Sequence, residues 1–351
     1  MVSFQEKVQQ QFDNKLPFAI YRKPNEREIH GVFQLNEYLN FIKDFSEKGL
    51  VFCSFDGNQN IIIPENQSER FVFQNDMVDF ITENSIISNN KSNKQSSFEN
   101  LVEKGILAIK NNSFKKVVLS RNETIDLKSF DLISVFTKLV CQYQSAFRYC
   151  FYHPKVGLWL GATPEQLLKV ENNIFKTVSL AGTQKFNGTT DATWGEKELQ
   201  EQKYVSDFIL NSLKKASSDI KISETFTVRA ANLLHLKSEI SGHLNEDFNL
   251  NKIIKILHPT PAVCGLPKEG AKQFIIENED YDREFYTGFL GELNINNKTD
   301  LFVNLRCMNI ATSRKKANVY VGCGITKDSI SDKEYFETEN KSMTMKNLLD
   351  I

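Results

Sequence analysis

FRYCFYHPKVGLWLGATPEQLLKVENNIFKTVSLA, residues Phe147–Ala181, is the stretch on which the fold class turns. Four strand-like runs follow one another in it: Phe147–Tyr152, Gly157–Leu160, Glu165–Val170 and Ile174–Ala181. Aromatic and aliphatic residues fill the runs, and Pro, Gly and Asn separate them. Strands arriving in consecutive groups, rather than alternating one-to-one with helices, favour an α+β fold. Largely antiparallel sheets are expected over a doubly wound parallel sheet.

Outward from this stretch, helices and further strands alternate in blocks. Upstream, Phe98, Val102, Ile106 and Ile109 recur at helical spacing behind a possible capping box, Ser96-x-x-Glu99. Lys116–Arg121 reads as a strand and Phe130–Gln144 as a helix. Downstream come a helix Thr193–Lys215, a long strand region Thr225–Leu244 and a helix Asn249–Leu257. After the turn-rich His258–Pro267 follow strands Gly288–Ile295, Asp300–Ala311 and Ala317–Thr326, then a helix from about Asp332 to Leu349. The polar run Glu83–Asn100 reads as a loop. The strands before it (Val51–Phe55, Asn60–Ile63, Arg70–Phe73) are too few for a core of their own. Residues 1–97 are therefore expected to complete the same fold as residues 98–351.

Composition narrows the function. The chain has 351 residues, 40% of them apolar, enough for a substantial core. With 43 basic and 44 acidic residues, it lacks the basic footprint of a nucleic-acid binder. Cys53, Cys141, Cys150, Cys264, Cys307 and Cys323 form no C-x-x-C pair and have no histidines at zinc spacing, so buried free thiols are expected. No apolar run approaches a membrane span, and the N-terminus carries no signal-peptide pattern. A soluble, cytoplasmic protein is expected, with no membrane partner.

Several residues could carry chemistry. Glu198 and Glu201 share one helix face at i, i+3, behind a capping-box pattern Thr193-x-x-Glu196. Glu334 and Glu337 repeat the spacing behind Ser331-x-x-Glu334, and Lys341 continues that face. Four carboxylates on two helices suit a hard divalent cation such as Mg²⁺, although glutamate pairs are also common on solvated faces. Lys116 heads an apolar strand. To act as a base it must be neutral, whereas a free lysine titrates near ~10.4. Glu165, after Pro164, is a candidate acid if burial keeps it protonated. Arg306, in the run LFVNLRC, would favour a substrate carboxylate. Gly322, Gly324, Gly182 and Thr183 offer close backbone approach to an anion, and His235 and His258 could donate hydrogen bonds.

Read together, these segments resemble the chorismate-utilising enzymes. Ten blocks appear in the family's order: KVVLSR (116–121), GATPEQLL (161–168), SLAGTQ (179–184), KELQEQKYV (197–205), LHLKSEISG (234–242), HPTPAVCGLPK (258–268), DREFYTG (282–288), NLRCMNI (304–310), GCGI (322–325) and EYFETENK (334–341). The resemblance implies one large fold of two extended, mainly antiparallel sheets packed together with helices outside, and places the chorismate-binding catalytic region in residues 98–351. Ammonia-using relatives typically carry glutamine where this chain has Lys116, and some carry a nucleophilic lysine where it has Ala181. The resemblance therefore points to the water-using branch, and HPTPAVCG and LAGT within it to isochorismate synthesis.

The implied reaction is a Mg²⁺-dependent isomerisation. Lys116 would activate water for attack at C2 of chorismate, and Glu165 would protonate the hydroxyl leaving C4. Glu201 and Glu337 would hold the metal, with Glu198 and Glu334 supporting it through water. Arg306, Lys341, Gly322 and Gly324 would hold substrate carboxylates, with Gly182, Thr183 and His235 nearby. Ala262, Val263 and Tyr286 would shape the pocket. No amidotransferase subunit is expected. The alternatives are a salicylate synthase, an ammonia-using synthase and a non-catalytic chorismate-binding protein.

Overall fold

The computed structural model describes residues 3–74, 93–230 and 233–351. Two antiparallel sheets form its body. In spatial order the first runs Gly265–Leu266, Lys116–Asp126, Lys316–Ile325, Cys307–Ala311, Gly157–Thr163, Phe147–His153, Phe18–Arg22, Ile29–Gln34, Ser68–Phe73. The second runs Lys221–Ile222, Leu233–His243, Ile174–Lys185, Gln166–Glu171, Lys298–Val303, Phe289–Ile295, Gly49–Cys53, Asn60–Pro64, Asn40–Phe41, with Phe226–Ala230 also paired to Leu233–His243. The strands before residue 75 thus extend both sheets.

An aromatic layer fills the space between the sheets. Phe52 of the second sheet stacks on Phe285 at 4.3 Å and meets Trp159 of the first edge-on at 5.8 Å. Phe147 and Phe302 stack across the layer at 4.3 Å. Such rings combine large apolar area with a preference for these offset and edge-on geometries. The outer faces are covered by helices. Phe4–Asp13 and Leu132–Gln142 share a core with the first sheet, and Glu196–Leu213 and Leu250–Leu257 with the second. Asn93–Lys110, Lys268–Asn278 and Ser331–Lys346 enclose the end of the first sheet that holds Lys116–Asp126.

Several boundaries differ from the sequence reading. The expected strand Asp300–Ala311 is broken. Lys298–Val303 lies in the second sheet and Cys307–Ala311 in the first, and the chain changes sheets across Asn304–Arg306. Its partner strands do the same. Gly157–Thr163 lies in the first sheet and Gln166–Glu171 in the second, with Pro164–Glu165 between them. Paired in both sheets, the two strands turn the corner together. The bonds Val303 N–H to Glu165 O (2.9 Å) and Ala162 N–H to Arg306 O (3.0 Å) bracket the turn. Asn304 is fully buried there, accepting from the Tyr149 hydroxyl at 2.5 Å and donating to Phe285 O at 2.8 Å.

None of the three expected capping boxes forms. Ser96 and Glu99 lie inside a helix already under way at Asn93, which also shortens the loop read over Glu83–Asn100; residues 83–92 of that loop lie outside the described residues. Gly195, not Thr193, caps Glu196–Leu213, and Ile330 precedes the helix that begins at Ser331. Two helices were not anticipated, Phe4–Asp13 and Lys268–Asn278. The first does have a capping box, with Glu6 N–H donating to Ser3 Oγ and Ser3 N–H to the Glu6 carboxylate.

Away from the corner, Glu292 of the second sheet ties the sheets together. It accepts from the Tyr21 hydroxyl, from Lys23 at 2.6 Å and from Arg70 at 3.1 Å. Burial alone would raise its pKa, but Lys23, Tyr21 and Arg70 hold it below the ordinary value. Removing this carboxylate leaves the partly buried Lys23 without its ion-pair partner and Arg70 with Glu65 alone, 3.5 Å away. Glu292→Ala should cost about 3 kcal/mol in urea denaturation at neutral pH. The deficit should shrink as pH falls through the depressed pKa, where the parent loses the same interaction.

Candidate active site

The corner places Glu165 beside Val303 at one end of the turn and Arg306 beside Ala162 at the other, and both line the cavity there. Glu165 is 4% exposed, and burial pushes its carboxyl up to about 8 against the pull of Lys116 and Lys341. It is therefore a neutral carboxylic acid at pH 7. Arg306 adopts φ 47°, a consequence of the turn, rather than lying within a strand as expected. Its guanidinium is buried and has no carboxylate within ion-pair distance among the described residues. Burial lowers its pKa.

Arg306 meets His235 instead, Nη2 to Nε2 at 3.2 Å. The other ring nitrogen, Nδ1, lies 2.8 Å from Gly182 O. A carbonyl only accepts, so Nδ1 carries the proton and Nε2 offers its lone pair to Arg306. Burial and the Arg306 charge push the imidazole down to about 3, consistent with this neutral tautomer. Thr183 Oγ1 lies farther from Nδ1, at 3.4 Å. His258 is half-buried, and desolvation of its ring pushes it down to about 3, but it packs edge-on against Phe289 outside the cavity.

Lys116 begins its strand fully buried, with Nζ 2.8 Å from Glu201 Oε1. Burial acts to raise the Glu201 pKa, yet Lys116, Lys197 and Lys341 hold it below the ordinary value. A side chain opposite would push this pair aside: a Cβ on Gly324 would stand 2.2 Å from Glu201 Oε1 and 3.1 Å from Lys116 Cε. A Cβ on Gly322 would stand 2.9 Å from the Tyr286 hydroxyl. Lys341 donates to Gly322 O at 2.9 Å and to Glu337 at 2.6 Å. Glu334, 2% exposed, takes Lys197 on one oxygen; burial and Glu337 raise its pKa.

Twelve of the expected site residues line one enclosed cavity of about 70 Å³: Glu165, Glu201, Arg306, Lys341, Gly182, Thr183, His235, Gly322, Gly324, Ala262, Val263 and Tyr286. The other four stand around it. Lys116 pairs with Glu201, Glu337 with Lys341 and Glu334 with Lys197. A Cβ on Gly182, which has φ +70°, would meet the Glu198 Cβ at 3.2 Å and the Trp194 ring at 3.5 Å. The half-buried Trp194 donates its indole N–H to Thr227 Oγ1 at 2.9 Å.

Sequence reading missed Val118, Leu180, Thr287, Leu305, Tyr320, Val321 and Cys323 in the lining, and it missed Lys197. The lining residues sit in strand runs recognised from sequence or beside named glycines, but nothing in the sequence says which strand face meets the cavity. A wider groove of about 1050 Å³, between helices Phe4–Asp13 and Leu132–Gln142, shares no residue with the cavity.

The neutral Glu165 has a measurable signature. Because its folded pKa lies above the unfolded one, the parent chain loses stability as pH rises from about 4.5 towards about 8. Glu165→Gln keeps the shape and removes that charge. It should be the more stable protein by thermal denaturation at pH 8–9, by a few kcal/mol in order of magnitude, with the gap vanishing below about pH 4.5.

Known proteins are similar to this chain along most of its length. A protein described as anthranilate synthase component 1, from Lactococcus lactis subsp. lactis, is 30% identical over 259 residues, covering 71% of this chain and 56% of its own length. The isochorismate synthase EntC of Escherichia coli strain K12 is 29% identical over 272 residues, covering 74% of this chain and 68% of its own. The chain thus spans between half and about two thirds of the length of these curated relatives. Among solved structures, a Bacillus anthracis protein assigned as the 2,3-dihydroxybenzoate-specific isochorismate synthase DhbC superposes with a TM-score of 0.80 at 21% identity, covering 98% of this chain and 99% of the other. The family described as "Chorismate binding enzyme" matches residues 52–350, and this chain belongs to it.

Proposed function

We propose that this chain converts chorismate to isochorismate with Mg²⁺ as its cofactor. The observation that carries the reading is Glu165, a wholly buried carboxylic acid, held neutral at pH 7 in a cavity that also presents a buried guanidinium. A neutral carboxyl can donate a proton to a departing hydroxyl, whereas an ionised one cannot. Lys116 is the base. It takes a proton from water as the water oxygen bonds to C2. The ring double bonds shift, the C4–O bond breaks, and the leaving oxygen takes the Glu165 proton and departs as water. Arg306, fixed by neutral His235, orients a substrate carboxylate, and Lys341 with the backbone at Gly322 and Gly324 orients a second contact. Ala262, Val263 and Tyr286 exclude water around the ring.

The donor chemistry fits a hard divalent cation. Four carboxylates come from two helices, and the second oxygen of buried Glu334 has no hydrogen-bond partner. As arranged, however, three of the carboxylates face ammonium groups. Among the described residues no three potential ligands are gathered into a ready-made metal cluster. Glu201 and Glu337 would hold the ion, with Glu198 and Glu334 supporting it. Bound there, Mg²⁺ would supply positive charge against a substrate carboxylate.

Purified chain incubated with chorismate and Mg²⁺ should yield isochorismate by chromatography and mass spectrometry. Salicylate with pyruvate would instead identify a synthase that goes on to eliminate the side chain. An aminated product from ammonium salts would place the chain with the anthranilate synthase it also matches. Lys116→Ala and Glu165→Ala should each lower turnover by roughly 10²–10⁴ while retaining the circular dichroism spectrum of the parent. Turnover should decline as pH rises through about 8, where Glu165 loses its proton.

A further inference from the structure

Three lysines stand among the glutamates, one against each of three carboxylates: Lys116 on Glu201, Lys341 on Glu337 and Lys197 on Glu334. Lys116 and Lys341 have places in the proposed reaction. Lys197 has none. It lies one helical turn before Glu201, where a solvated position would be unremarkable, yet its ammonium points inward. It bonds to Glu334 on the facing helix and also lies within the field of Glu337 and Glu201. Glu334 is almost fully buried, and the oxygen not engaged by Lys197 has no hydrogen-bond partner.

We propose that Lys197 is a built-in counter-ion that holds the carboxylates of the two helices together when no divalent cation is present and must give up Glu334 as the cation binds. This rests on the reading of the glutamates as a cation site. Two neighbouring buried carboxylates repel each other and are poorly solvated, so a facing positive charge is needed to keep the helices in place. The same charge repels an incoming cation and occupies an oxygen the cation's shell would use. Lys197 thus lets the chain fold without metal and weakens metal binding for the same reason.

The test compares the full chain, stripped with chelator, with Lys197→Met and Lys197→Arg. Mg²⁺ affinity is read by calorimetric titration, and thermal stability is read with and without Mg²⁺. Lys197→Met keeps the apolar stem and removes the charge. It should bind Mg²⁺ more tightly by about tenfold, melt at a lower temperature when stripped, and gain more from Mg²⁺ than the parent. Lys197→Arg keeps the charge and should stay within about threefold of the parent affinity. Equal or weaker Mg²⁺ binding by Lys197→Met would overturn the inference. Should the Met variant fail to fold when stripped, recovery of its folded spectrum on adding Mg²⁺ supports the inference, and failure to recover counts against it. A parent chain that takes up no Mg²⁺ defeats the cation reading and this inference together. A parent that binds Mg²⁺, with a Met variant that binds no better, defeats this inference alone.

Discussion

The site depends on a backbone event, the joint passage of two neighbouring strands from one sheet to the other at Pro164–Glu165 and Asn304–Arg306. Either crossing alone would leave buried amide and carbonyl groups without partners. Made together, they bond to each other on both sides of the turn, and Asn304 supplies further partners inside it. The turn sets an acid at one end and a guanidinium at the other, both facing one cavity, while the two sheets wrap them in apolar layers. Burial then sets the protonation of the groups it encloses. It keeps Glu165 protonated and His235 neutral, and a neutral His235 can accept from Arg306 and so aim it.

Around this corner, charge is arranged in one-to-one pairs. The helices Glu196–Leu213 and Ser331–Lys346 bring carboxylates towards the cavity, and lysines from three elements meet them. The local net charge therefore stays small although many ionisable groups are enclosed, which is the condition under which such groups tolerate burial. The same bookkeeping appears at Glu292 between the sheets, but there one carboxylate serves Tyr21, Lys23 and Arg70 and has no vacancy.

Much of this was legible in the sequence. The consecutive strand runs of Phe147–Ala181 indicated antiparallel sheets, and Phe98, Val102, Ile106 and Ile109 all face the core as their spacing implied. Twelve expected site residues share one cavity because the ten blocks that identified them are the segments that turn towards it. The break at Asn304–Arg306 was hidden because Asn304 and Arg306, two positions apart in an otherwise apolar run, read as same-face residues of one continuous strand rather than as a turn. The three expected capping boxes failed because Ser/Thr-x-x-Glu says nothing about competing partners. Glu334 answers to Lys197 rather than to its own helix end, and Glu99 accepts from Gln95. Lys197 itself looked like any charged residue in a polar helix segment, since its partner lies 137 positions away.

The two tryptophans occupy opposite kinds of place. Trp159 is sealed in the aromatic layer between the sheets. Trp194 sits half-buried beside Gly182 and Glu198, with its N–H committed to Thr227. Indole emission responds to the polarity around the ring, so the chain carries one silent lamp and one indicator lamp. Trp194 stands beside Gly182 of the cavity lining, whereas Trp159 reaches the cavity only through its stacking on Tyr320.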